Sequence, residues 1–323
     1  MVLIGTSGFS FPDWVGPFYP PGTERARMLD YYVREFPAVE VNATYYRIPP
    51  PSTLAAMERK TPPKFEFVVK AHHDMTHLRT LDAEMFRAFH RAIEPVRAAG
   101  KLSGLLAQFP YAFRRAPENE AYLVELKRRL PEGVPLFVEY RHNSWIRDDV
   151  FSWMEREGLG YVSVDEPDLP GLVPPVARAT GDVGYVRFHG RNRANWWHAE
   201  GAVRARPAAA APPAAPAAPA RDRARRAPAP AEDIGPLFTG IADPGAFAAE
   251  PAAPPPAPRA PSTDRYDYLY SEEELKQWVE KIRDLAMKTK KTFVFFNNCH
   301  VGQAATGAKL MRRLLEGPGP LAP

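Results

Sequence analysis

The stretch PLFVEYRH, residues 135–142, decides the reading of the fold. A short apolar, β-prone run passes directly into Glu139 and Arg141, which suits a strand buried in a parallel sheet with chemistry at its C-terminal end. The same construction occurs seven more times: VLIGTSG from Val2, AVEVN from Ala38, EFVVKA from Glu66, LLAQFP from Leu105, YVSVDE from Tyr161, GYVRFHG from Gly184 and FVFFNN from Phe293. These runs end in Thr6 and Ser7, Glu40 and Asn42, Lys70, Gln108, Asp165, Arg187 and His189, and Asn297 and Asn298. A (β/α)8 barrel builds its active site from such strand ends, so the order predicts an α/β TIM barrel with a polar ring around one mouth.

Helix signals fall between the runs. They cover Thr23 to Glu35, Ser52 to Arg59, Leu81 to Ala98, Glu118 to Leu130, Asp148 to Glu157 and Gln303 to Leu315. Ser271 followed by three glutamates predicts a capped helix to about Lys288, because an oxygen acceptor and negative charge both suit exposed helix amides. Between the sixth and seventh runs stands GLVPPVARATGD, residues 171–182, whose prolines predict an irregular crossover.

Residues 201–262 differ from the rest. They hold 15 of the 37 prolines and 23 alanines, with too few large apolar side chains to offset the entropy of ordering. They are read as a disordered insertion after the seventh strand, on the face of the proposed site. Residues 1–200 and 263–318 then form a single barrel domain of about the usual 250-residue size, followed by a 319–323 tail.

A net charge of +4 over 323 residues makes no composition-level case for nucleic acid. The arginines between Arg204 and Arg226 are read as a solvated linker. A single cysteine, Cys299, excludes an internal disulfide framework and a thiolate metal cluster. With no signal segment and no apolar run approaching 18 residues, the chain is expected to be soluble and cytoplasmic, without a membrane partner.

Seven motifs in order carry a resemblance. VEVNATYYRIPP at 39–50, VVKAHHDMTH at 68–77, LLAQFP at 105–110, FVEYRHNSW at 137–145, YVRFHGRN at 185–192, YDYLYSEEEL at 266–275 and FFNNCHVGQAATGAKLM at 295–311 are similar to the YecE-like family, also called domain of unknown function 72. The resemblance spans nearly the whole chain outside 201–262. It implies a TIM barrel and no activity, because the family is one of unknown function. It also marks His77, in its Thr-His pattern, as a site candidate. The family often has a histidine where Cys299 stands.

Period two places Glu40 with Asn42, Glu139 with Arg141, and Arg187 with His189 on common strand faces. If those faces point inward, carboxylates and cations share one cavity, as a site or as a structural ion-pair network. Glu40, Glu139, His189 and Asp165 are the candidates for acid/base chemistry. Asn42, Tyr45, Arg47, Lys70, His77, Gln108, Arg141, Arg187, Arg191, Asn297 and Asn298 are the candidates for holding a substrate. Glu139, Asp165 and His189 offer metal-ligand types, but Lys70, Arg141 and Arg187 would repel an ion. No cofactor is therefore favoured, and a divalent metal stays an alternative. Arg187 and Arg191, with the Gly302-Gln303 turn into the last helix, suggest an anion site. Loop aromatics including Trp196 and Trp197 could stack on sugars or bases, and that pair is hard to bury together.

These features point to an enzyme using acid/base chemistry on a phosphorylated, sugar-containing or nucleotide-like substrate, its partner a small anionic or sugar-containing ligand. The alternatives are a noncatalytic nucleotide or nucleic-acid binder, and a metal-dependent phosphodiesterase resembling barrel endonucleases.

Overall fold

A computed structural model describes residues 1–197 and 265–317. The predicted insertion, 201–262, and the 319–323 tail lie outside the described residues.

All eight runs form strands, and every pairing is parallel. The strands are β1 (Val2–Ser7), β2 (Ala38–Val41), β3 (Glu66–Lys70), β4 (Leu102–Gln108), β5 (Leu136–Glu139), β6 (Gly160–Tyr161), β7 (Ser163–Asp165), β8 (Val183–Phe188) and β9 (Lys291–Phe296). The sixth run is thus split in two at Val162. β6 bonds to β5 and β7 bonds to β8, so this one continuous segment closes the ring between them. β1 pairs with both β2 and β9, joining the two ends of the series.

The helices are α1 (Arg25–Glu35), α2 (Ala43–Tyr46), α3 (Pro51–Arg59), α4 (Ala83–Ala98), α5 (Pro117–Arg129), α6 (Asp148–Glu157), α7 (Glu272–Lys288) and α8 (Gln303–Glu316). Ser271 caps α7 as its sequence predicts: Oγ accepts from the Glu274 amide, and the Glu274 side chain accepts from the Ser271 amide. The segment 171–182 carries no helix, in keeping with its prolines.

The inside of the barrel is layered by the two-residue period of its strands. An aromatic layer comes first, with Tyr185 packed between Phe137 and Phe295 at centroid distances of 4.8 and 5.5 Å. Room for Phe137 comes from Gly104 and Gly160 on the flanking strands, where a Cβ would stand 2.2 and 2.6 Å from its ring. Two residues further along each strand the aromatics give way to Glu139, Arg187 and Asn297. At the opposite, N-terminal end, Lys291 of β9 and Glu66 of β3 form an ion pair at 2.5 Å.

Candidate functional site

Arg187 is the hub of the mouth. It lies deep inside at the end of β8, 1% exposed. One guanidinium nitrogen meets Glu139 Oε2 at 2.5 Å and the other meets Glu40 Oε1 at 2.6 Å. Tyr185 donates its hydroxyl to the second oxygen of Glu40, which ties the charged layer to the aromatic one beneath. Arg141 continues the network, with Nε 2.7 Å from Glu139 Oε1 and another nitrogen 2.9 Å from Glu166 Oε2. Two guanidiniums are thereby shared among three buried carboxylates, an arrangement that repays desolvation only when every charge has its partner.

The carboxylates differ in consequence. Burial alone would raise the Glu139 carboxyl, yet Arg187, Arg141 and His189 hold it well below the usual carboxylate range. Burial pushes Glu166 up to about 7 in spite of Arg141. Burial and then Arg141 drive His189 well below the ordinary histidine range, so its ring is neutral at pH 7. Its Nε2 lies 3.1 Å from Glu139 Oε1, and its Nδ1 lies 3.1 Å from Asn297 Nδ2. Protonation on Nε2 would turn a donor toward Glu139 and leave Nδ1 free to accept from Asn297. Asn297 Oδ1 in turn accepts from Asn42 Nδ2 at 3.4 Å, and the series ends at Asn42 Oδ1, a buried acceptor with no hydrogen-bond partner among the described residues.

Lys70, at the end of β3, stands beside Asn42. Val41 pairs with Val69, so the two residues leave adjacent strands side by side. Its Nζ donates to Gln108 Oε1 at 3.0 Å and sits 4.3 Å from the centroid of the Tyr45 ring. Gln108 is oriented for this by its own Nε2, which donates to the Phe109 carbonyl. Burial, with Arg187 adding repulsion, brings the Lys70 amine down to about 7 although Glu139 and Glu40 oppose it.

His77 packs against the far side of this corner, 5.2 Å from Tyr45 and stacked on His73 at 5.0 Å. The short helical turn Asp74–Leu78 places the two histidines on one face. Burial and then His73 press His77 down to about 3. Trp196 and Trp197 divide as their adjacency demands. Trp196 is buried beside Arg141 and Arg265, whereas Trp197 is 38% exposed and packs on Tyr111.

Glu40, Glu139, Lys70, Gln108, Arg141, Arg187, His189, Asn42, Asn297 and Tyr45 are therefore brought together, with His77 next to them. Asp165 and Arg191 are not. Asp165 faces the outside of the barrel, where Arg191 grips both its oxygens at 2.9 and 2.6 Å, and Tyr270 and Trp278 each donate at 2.7 Å. That side chain holds α7 to the β7–β8 edge, and the three proposed metal ligands Glu139, Asp165 and His189 do not meet. Among the described residues no three histidine, cysteine, aspartate or glutamate side chains cluster as a metal site. Asn298 also turns outward and donates to the Tyr268 carbonyl. Arg47 is exposed after α2. The Gly302 turn packs toward Pro17, and the neighbouring Val301 amide donates to Asp13, so the amides there serve the packing of the first loop.

Two members of the mouth were missed by sequence reasoning. Glu166 closes the run YVSVDE next to Asp165, and only the inward phase of Val162 and Val164 reveals it. Tyr185 reads as an ordinary strand aromatic until its hydroxyl is seen on Glu40.

The DUF72 model, described as a protein of unknown function, matches residues 3–228 and 245–322. The UPF0759 protein YunF of Bacillus subtilis (strain 168) is 30% identical over 328 residues, covering 98% of this chain and 95% of that protein. The crystal structure of a DUF72 family protein from Thermotoga maritima MSB8 is 35% identical and aligns with a TM-score of 0.72, covering 98% of this chain and 100% of the other. A DUF72 family protein from Enterococcus faecalis V583, 24% identical with a TM-score of 0.70 and full coverage of both chains, shares the fold. With this barrel, these strand-end motifs and matches along nearly its whole length, the chain belongs to the DUF72 family.

Proposed function

We propose that the protein is an enzyme that performs proton transfer on a small hydroxyl- or carbonyl-bearing ligand, sugar-like and in some cases anionic, at the C-terminal mouth of the barrel. The observation that carries this reading is Lys70. Its amine has one neutral hydrogen-bond acceptor, Gln108, and is held near neutrality by burial and Arg187. A group whose pKa lies near the working pH is the best placed to move a proton in either direction. Glu139, held far below that range, is a poor proton carrier. Its role is to fix Arg187, Arg141 and the neutral His189. The unpartnered Asn42 Oδ1 supports a hydroxyl donor on the ligand. Because Arg141 and Arg187 are already paired with carboxylates, an anionic group on the ligand would be met chiefly by Lys70 when it is protonated.

The test begins with a thermal-shift screen of neutral aldoses, phosphosugars, nucleotides and inorganic phosphate, followed by turnover of whatever stabilises the fold. Lys70→Met should lower turnover of such a ligand by about a hundredfold or more while changing its affinity much less. Ligands that bind the unmodified protein without conversion would overturn the reading in favour of a noncatalytic binder, and a Lys70→Met variant with normal turnover would overturn the role of Lys70 as the proton carrier.

A further inference from the structure

Lys70 has the setting of an amine nucleophile as well as that of a base. Four lysines that serve the fold here meet carboxylates, Lys101 meeting Glu58, Lys291 Glu66, Lys290 Asp182 and Lys309 Glu35, whereas Lys127 and Lys281 donate to the backbone carbonyls of Glu157 and Pro175 away from the mouth. Lys70 has an amide oxygen in that place and no carboxylate within ion-pair distance among the described residues. An amide acceptor orients the amine but does little to hold a proton on it. The carboxylates whose charge acts on it, Glu139 and Glu40, are turned toward Arg187 and Arg141. The tip of Lys70 rests on the Tyr45 ring, and the Asn42 acceptor stands on the adjacent strand end.

We propose that Lys70 forms a Schiff base with the aldehyde or ketone group of a small hydroxylated ligand. This rests on the proposed function's placing of Lys70 at the reacting position and goes beyond it in naming a carbonyl compound as the substrate class. The neutral amine adds its lone pair to the carbonyl carbon, making a C–N bond, while the carbonyl oxygen gains a proton and the nitrogen loses one. The carbinolamine hydroxyl then takes up a proton and leaves as water, the nitrogen lone pair forming the C=N bond of the protonated Schiff base, and hydrolysis reverses both steps. Desolvation beside another cation is a recognised way to keep such an amine unprotonated near pH 7. A solvated lysine with a pKa near 10.4 is deprotonated there in only about one molecule in 2,500.

Three carbonyl probes test this on the full chain at pH 7. Glyceraldehyde, glyceraldehyde 3-phosphate and pyruvate are each incubated with the protein, reduced with borohydride, and followed by intact mass and peptide mapping. The expected result is a single adduct on Lys70 with at least one probe, formed at least about tenfold faster than on any exposed lysine and lost in Lys70→Arg, whose fold is checked by its melting curve. Formaldehyde with a mild borane, which methylates any accessible neutral amine, is run in parallel. If formaldehyde modifies Lys70 first but no probe is trapped there, the Schiff-base proposal is overturned and the proton-transfer reading stands. Modification spread over exposed lysines, with Lys70 unreacted even toward formaldehyde, overturns both.

Discussion

Lys101 and Lys70 stand at opposite ends of neighbouring strands, and the difference between them separates the part of the barrel that holds the fold from the part that does chemistry. Lys101 immediately precedes β4 at the N-terminal end. Its Nζ lies within hydrogen-bond distance of four oxygens: the Glu58 carbonyl and carboxylate at 2.9 and 2.8 Å, and the Thr61 carbonyl and hydroxyl at 2.9 and 3.2 Å. Lys70, at the C-terminal end of β3, has among the described residues only Gln108 as acceptor, and the face of Tyr45. A buried ammonium surrounded by oxygens is a joint between elements. A half-buried one with a single acceptor keeps donors or a lone pair for something else. The same contrast divides the acceptors, since Asp165 is saturated on the outer face whereas the mouth network ends at an Asn42 oxygen with no partner among the described residues. TIM barrels in general place stability at the N-terminal face and chemistry at the C-terminal face.

The harshest way to disturb Lys70's surroundings is Arg187→Met. It strands Glu40 and Glu139 without their shared cation and should cost about 3–5 kcal/mol, read by urea unfolding. In any fraction that remains folded it should also raise the Lys70 pKa, because a repelling charge has gone. A smaller and more direct contrast comes from the lysines themselves. Lys101→Met should cost about 2–3 kcal/mol, as charge-assisted bonds are lost and Glu58 is left behind, whereas Lys70→Met should raise stability at pH 7, because folding no longer has to strip a proton from the lysine. Equal losses at the two positions would show that Lys70 is a joint like Lys101.

Stability against pH gives a finer reading. With a folded pKa of about 7 and an unfolded one near 10.5, the unfolded chain holds the extra Lys70 proton across that window. The contribution of Lys70 therefore makes stability rise with pH from about 7 to 10.5, and Lys70→Met should flatten that rise. Glu166 works in the opposite sense. Its folded pKa of about 7 lies above the ordinary 4.5, so the folded state holds the extra proton, and stability falls as pH climbs through that interval. Glu166→Gln should remove the fall. The least effect on the comparison is expected from Asp165→Asn, which loosens the Arg191 clamp and lowers the melting temperature but leaves the Lys70 titration where it was.

Much of this was legible in the chain. The eight runs, the α7 cap and the irregular crossover at 171–182 follow from local rules of period, capping and proline geometry, which tertiary packing did not overrule. Glu40, Glu139, Arg187, His189 and Lys70 were found because strand ends in this fold converge. Asp165 and Glu166 were exchanged for a physical reason: the sixth run is broken at Val162, and alternation alone does not tell which phase faces inward when both phases mix polar and apolar residues. Arg191 followed Asp165 outward. The contrast between Lys70 and Lys101 was invisible, since it depends on whether an amide or a carboxylate stands beside the ammonium, and those partners come from distant strands and helices.

The most direct measurement is the titration of Lys70 by NMR, following its side-chain Cε and Nζ signals in lysine-labelled protein and assigning them by their loss in Lys70→Arg. An apparent pKa near 7, with Lys101 still protonated throughout that range, is the expected result. A Lys70 that titrates near 10, as a solvated lysine does, would contradict the assignment of Lys70 as the reactive amine of the mouth.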